Sequence, residues 1–173
     1  MLIREAATAD APGIARVHVD SWHTTYKGLI PENIIASRDY KYREQMWTRV
    51  LKEHPETVIY VAEEDGAIVG FVSGGSNRDI DSPFTGELHA IYILESHQGK
   101  GIGRRLALAL VPRLLEQGHT SMLIWVMTDN HRARRFYEAL GGRKVAERQE
   151  EMDDAMLDEM AYGWEDITVF RLH

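Results

Sequence analysis

Apolar and polar residues follow two different periods along this chain, and the places where the period switches mark its elements. Leu2 to Glu5 reads as a short first strand. From Thr8-Ala9-Asp10 the period lengthens, setting Ile14, Val17 and Trp22 on one face of a helix. Tyr26-Lys27-Gly28-Leu29-Ile30-Pro31 breaks that helix, and a second helical region follows from about Pro31 to Lys52, in two pieces. Thr57 to Glu63 is a strand by its β-branched and aromatic content, and Asp65-Gly66 turns it into Ala67 to Ser73. Leu88 to Leu94 becomes apolar on both faces toward its end, as a central strand does. Gly101 to Glu116 spaces Leu106, Leu110 and Leu114 at the helical interval; Pro112 inside it predicts a kink, and Gly118 ends it. Met122 to Met127 is a strand and Asn130 to Leu140 a helix stopped by Gly141-Gly142. Arg143 to Met152 and Met160 to Leu172 read as a final pair of strands, with the acidic run Glu147 to Glu159 around a solvated turn. The order is mixed α/β.

Composition narrows the class. With 173 residues, 44% apolar and 27% charged, the chain has room for one well-buried core, and no linker or repeat divides residues 1–173. The net charge of -7 argues against a nucleic-acid partner, since counterion release needs a basic face. There is no cysteine, which excludes thiolate chemistry. No leader segment and no membrane-length apolar run stand out, so the expected location is cytoplasmic with no membrane partner. The eight histidines show no ligand spacing: His18 and His23 do not converge on a helix, and no metal is expected.

The chemistry concentrates in Gln98-Gly99-Lys100-Gly101-Ile102-Gly103-Arg104-Arg105, between an apolar strand and an amphipathic helix. Glycines let backbone approach a ligand closely, and the amides and dipole of the following helix make an anion site. A ligand bearing phosphate is the natural reading. A P-loop is excluded because no Gly-Lys is followed by Ser or Thr, and the dinucleotide fingerprint fails because Arg104 stands where a glycine is needed. What remains is Q-x-x-G-x-G.

Here the chain resembles the GNAT superfamily of acyl-CoA-dependent N-acetyltransferases. The run IYILESHQGKGIGRRLALAL is similar to that family's pyrophosphate-binding motif, and LIWVMTDNHRARRFYEALGG to its strand followed by N-x-x-A-x-x-F-Y-x-x-x-G. SWHTTYKGLIP and AYGWEDI also resemble segments of bacterial members, whereas Gly142 stands where the family usually has an aromatic residue, and Glu95 where proline is common. The resemblance implies a mixed, strongly twisted sheet of six to seven strands flanked by about four helices. Its two central parallel strands, Leu88–Leu94 and Met122–Met127, would splay apart. Acetyl-CoA would then be the cosubstrate. Its pantetheine arm would lie in the gap along Ile91 and Ile93, and its pyrophosphate against Gln98, Gly99, Lys100, Gly101, Ile102, Gly103 and Arg104. A homodimer is compatible with the family.

Acyl transfer to an amine needs a neutral amine, a stabilised oxyanion and a proton for the leaving thiolate. Asn130, Arg134 and Tyr137 share a helix stripe; the resemblance gives Tyr137 the role of proton donor to sulfur. Asn130 and Arg134 are candidates for cofactor contacts, Asn130 equally for a helix cap. Glu87 and His89, alternating on one strand, are the candidate bases in that order, with burial expected to raise the carboxylate's pKa. Trp22, Tyr26 and Trp125 are candidates for the acceptor pocket or for ordinary core. The function expected is acetyl transfer to a small amine. The alternatives are a protein or peptide acceptor, and a CoA-binding accessory module with little catalysis.

Overall fold

The computed structural model describes residues 1–170. Seven strands form one sheet in the order β1-β2-β3-β4-β5-β7-β6: β1 (Leu2–Glu5), β2 (Val58–Glu64), β3 (Ala67–Ser76), β4 (Gly86–Ile93), β5 (Met122–Met127), β6 (Arg143–Met152) and β7 (Ala155–Trp164). Every pairing is antiparallel except β4 with β5. The helices are α1 (Ala11–Tyr26), α2 (Glu32–Ser37), α3 (Tyr40–Glu53), α4 (Ile102–Glu116) and α5 (His131–Ala139). None of the described helices is long and apolar enough to cross a membrane.

The two faces of the sheet are covered differently. On one, Ile14 and Val17 of α1 and Trp47 of α3 pack on Ile59, Val61, Ile68 and Phe71. On the other, Leu106, Leu110 and Leu114 of α4 bury against Val72, Leu88, Met122 and Ile124, joined by Tyr137 of α5. Beyond the first cluster, Trp22, Tyr26, Ile30 and Ile34 meet Met127 of β5 and Leu157 of β7. α4 runs through Pro112 as one helix; the proline lies on its exposed side, where water can serve the carbonyl left without a donor. Gly118, at φ 91°, closes the helix while His119 N–H bonds back to Leu114 C=O at 3.0 Å.

Two expectations are corrected. The last strand starts at Ala155, not Met160, and ends at Trp164; a short helical turn, Ile167–Val169, follows, and Leu172 lies outside the described residues. The turn is only Asp153-Asp154, with Asp153 in the left-handed region at φ 52°. Most of the acidic run therefore lies on the two strands themselves. The second correction concerns β4. Ser73 pairs with Ala90 and Gly74 with Leu88, so His89 is an extra, unpaired residue: a β-bulge. Strict alternation fails there, and Ile91 and Ile93 pack toward α4 with Leu88, whereas Ala90 and Tyr92 face α1.

Candidate active site

The splay is present. β4 and β5 pair only at Gly86–Met122 and Glu87–Leu123, although β4 continues to Ile93 and β5 to Met127. A cavity of about 720 Å³ occupies the region where they part. One end is the glycine turn. Gly99 and Gly101 take φ values of 75° and 78°, conformations that side chains with a Cβ resist, and Gly101 caps α4. The first main-chain bond of that helix runs from Arg105 N–H to Gly101 C=O at 3.1 Å. The amides of Ile102, Gly103 and Arg104 are thus the first-turn donors a helix leaves without internal partners, an anion cradle that fits a pyrophosphate. Gln98 braces the turn by donating from Nε2 to Ile93 C=O at 2.9 Å. Gly103 serves packing: a Cβ there would come within 3.0 Å of Phe136.

Of the residues expected at the cofactor, the cavity wall includes Ile91, Ile93, Gln98, Gly99, Gly101, Ile102, Gly103, Arg104 and Asn130, but neither Lys100 nor Arg134. Asn130 caps α5, its Oδ1 accepting from Ala133 N–H at 3.2 Å. Arg134 turns away, donating to Thr128 C=O at 2.9 Å and to the Tyr162 hydroxyl at 3.2 Å. Arg132, not singled out from the sequence, lines the wall instead.

The other end of the cavity is polar. Tyr137 is 5% exposed on its inner wall, and its hydroxyl bonds to no described residue. Burial pushes its pKa far up, so it stays protonated. Glu87 is 2% exposed and held by Arg78: the guanidinium donates at 3.1 and 2.6 Å, and the Arg78 amide at 3.0 Å. Burial pushes the carboxyl up, but the hydrogen bonds and charge of Arg78 outweigh it and hold the pKa below the ordinary value. The upward shift expected for Glu87 does not occur. His89 lies 3.9 Å from Glu87, and burial holds its pKa below the ordinary value. Its Nε2 is 3.1 Å from Ser76 C=O. A carbonyl can only accept, so Nε2 carries the hydrogen and Nδ1 keeps the lone pair.

Trp22, Tyr26 and Trp125 all reach the cavity. Trp22 Nε1 donates to the Tyr92 hydroxyl at 3.1 Å, and the Tyr26 and Tyr92 hydroxyls lie 3.3 Å apart. Tyr92, Arg78, Arg148 and Glu159 were not legible as site residues. The last two had a usable signal: a two-residue turn at Asp153-Asp154 sets residue 148 opposite 159 on the hairpin, as observed.

Comparison with known proteins agrees with this geometry. Residues 19–142 match the model of the acetyltransferase (GNAT) family. The chain belongs to the GNAT family. It is 39% identical over 170 residues, 98% of this chain and 95% of the relative, to the uncharacterized N-acetyltransferase YuaI of Bacillus subtilis. It is 28% identical to the L-amino acid N-acyltransferase MnaT of Escherichia coli, over 82% of this chain and 78% of MnaT. Among solved structures, YncA of Salmonella typhimurium with its cofactor acetyl-CoA superimposes with a TM-score of 0.71 at 25% identity, covering 100% of this chain and 95% of that one. This GNAT chain is an N-acetyltransferase, and acetyl-CoA is its acyl donor.

Proposed function

We propose that the enzyme transfers the acetyl group of acetyl-CoA to the amine of a small acceptor by direct attack in a ternary complex. The observation that carries this reading is the parting of β4 and β5, with the phosphate cradle at one end and Tyr137, His89 and a walled polar chamber at the other. The enclosure by Trp22, Tyr26 and Leu157 favours a small molecule over a peptide laid in an open groove. The amino-acid acceptor in the name of MnaT supports the same class.

In this mechanism the amine nitrogen attacks the thioester carbonyl, forming the C–N bond, and unpaired main-chain N–H groups of β4 receive the oxyanion. His89 Nδ1 takes the amine proton. We place it ahead of Glu87, because Glu87 spends both carboxylate oxygens on Arg78. The C–S bond then breaks and the Tyr137 hydroxyl gives its proton to the thiolate, to be reprotonated from solvent. A thiol-release assay with acetyl-CoA over amines, amino acids, polyamines, aminoglycosides and peptides tests the reading. Release with a small amine is expected; release with peptides alone overturns the small-acceptor assignment.

A further inference from the structure

At the acceptor end one side chain is prepared for a ligand without having one. Arg148 starts on the edge strand β6, directly opposite Glu159 of β7, and reaches back across the sheet. Its guanidinium lies 4.0 Å over the ring of Trp125 on β5. Glu159 Oε1 accepts from Arg148 Nε at 3.1 Å, and Glu150 approaches the same Nε at 3.5 Å. The Nε side is therefore occupied, while Nη1 and Nη2 bond to no described residue. Stacking on an indole face and an ion pair on one edge fix a planar fork that otherwise has many rotamers. The fork sits in the cavity wall with Trp125 and Glu159.

The geometry points to Arg148 as the receptor for a carboxylate on the acceptor, so the acceptor is an amino-acid-type molecule carrying its amine a few bonds from an acid group. Two parallel N–H···O bonds from the Nη edge match a carboxylate and nothing smaller. Lysine would serve less well, because its ammonium can neither lie flat on Trp125 nor present a fork. Arg78 also has its Nη1 without a described partner, but its side chain is 67% exposed on a loop and its other donors are committed to Glu87, so it is the less prepared of the two. Glu159, whose pKa burial raises, keeps Arg148 in place; it is a positioning residue.

This inference rests on the acetyl-transfer reading but is separable from it. The test compares a set of L-amino acids with their carboxamides, which keep the amine and lose the carboxylate. The intact enzyme should prefer the acids by about tenfold to a hundredfold in kcat/KM, chiefly through KM, as a charged hydrogen-bonding contact predicts. In Arg148→Gln the ratio should collapse toward one, and Arg148→Lys should rescue it only partly. Calorimetric titration of the same amino acids into CoA-saturated enzyme reads the contact without turnover, and Arg148→Gln should weaken binding about tenfold or more. Equal use of acids and amides by the wild type, a ratio that survives Arg148→Gln, or amino acids that fail to bind would overturn the assignment. Arg148-dependent binding with no turnover of any amine would support it and sink the acetyl-transfer reading instead.

Discussion

Glu87 and Arg78 form a closed pair: three hydrogen bonds of 2.6 to 3.1 Å run from one residue to the other, and the carboxylate is all but removed from solvent. Its pKa lies below the ordinary 4.5. A carboxyl depressed in the folded state stabilises fully above its unfolded pKa and loses that contribution as pH falls through the folded one. Glu87→Gln should therefore lower stability at pH 7 by about 1–2 kcal/mol, a modest figure because Arg78 is largely solvated. In thermal melts the gap between variant and wild type should narrow as pH falls below 4.5 and through the lower folded-state pKa. A gap independent of pH would mean that the ion pair is not its source.

The base assignment makes a kinetic prediction. His89 must be neutral to accept a proton, and its pKa lies below the ordinary 6.5. The acidic limb of kcat/KM should accordingly have its midpoint below pH 6.5, with activity lost as pH drops through it. His89→Gln should abolish this limb and lower the rate about a hundredfold. Glu87→Gln should displace the limb without removing it. A limb lost in the Glu87 variant and kept in the His89 variant reverses the order.

For Tyr137→Phe we expect kcat to fall about 10²-fold or more, with the Kd for acetyl-CoA nearly unchanged. The hydroxyl makes no hydrogen bond to a described residue, so removing it breaks no internal one. Full turnover in the variant would reduce Tyr137 to a packing residue.

Acetyl-CoA or CoA at a hundred times Kd should add about 2.7 kcal/mol of apparent stability, whereas ATP and NADH should add far less. Arg104→Glu, placed at the phosphate cradle, should weaken CoA binding about tenfold, more at low salt than at high. Gly101→Val is the poorer probe. It would strain a backbone held at φ 78°, so the fold would suffer along with the site.

Gly142→Ala should cost about 1–3 kcal/mol in urea unfolding. A Cβ at 142 would stand 2.7 Å from Trp164 Cζ2 and 3.0 Å from the Tyr137 carbonyl. Trp164, reaching over from β7 and tied by Nε1 to Leu140 C=O at 3.0 Å, fills the space beside the glycine. A neutral substitution would show that this wall yields.

What the sequence disclosed followed from local chemistry. Asp65-Gly66, Gly101 and Gly118 punctuate the chain because their positive φ values permit few other residues, and the amphipathic face of α4 is written in its leucines. The start of β7 stayed hidden because exposed Met156 and the acids around it blur the alternation. The bulge at His89 was illegible because Gly86–Ile93 reads equally well without it. Arg78 lies on a loop with no period to betray it, and Arg148 acquires its place only once β6, β7 and β5 lie side by side.

The brevity of the β4–β5 seam has a mechanical consequence. Two paired positions are the whole ladder between the three strands β5-β7-β6 and the four beside them, so the two panels are held together chiefly by helices that bridge them: α4 packs on Val72 and Leu88 of one and on Met122 and Ile124 of the other. A donor molecule bound where further rungs would have been would act as the missing lacing. Amides along the open margin of β4 should exchange with solvent readily in the empty enzyme and slowly once CoA is bound. Catalysis and cohesion are then loaded together: each turnover would unlace the sheet and lace it again.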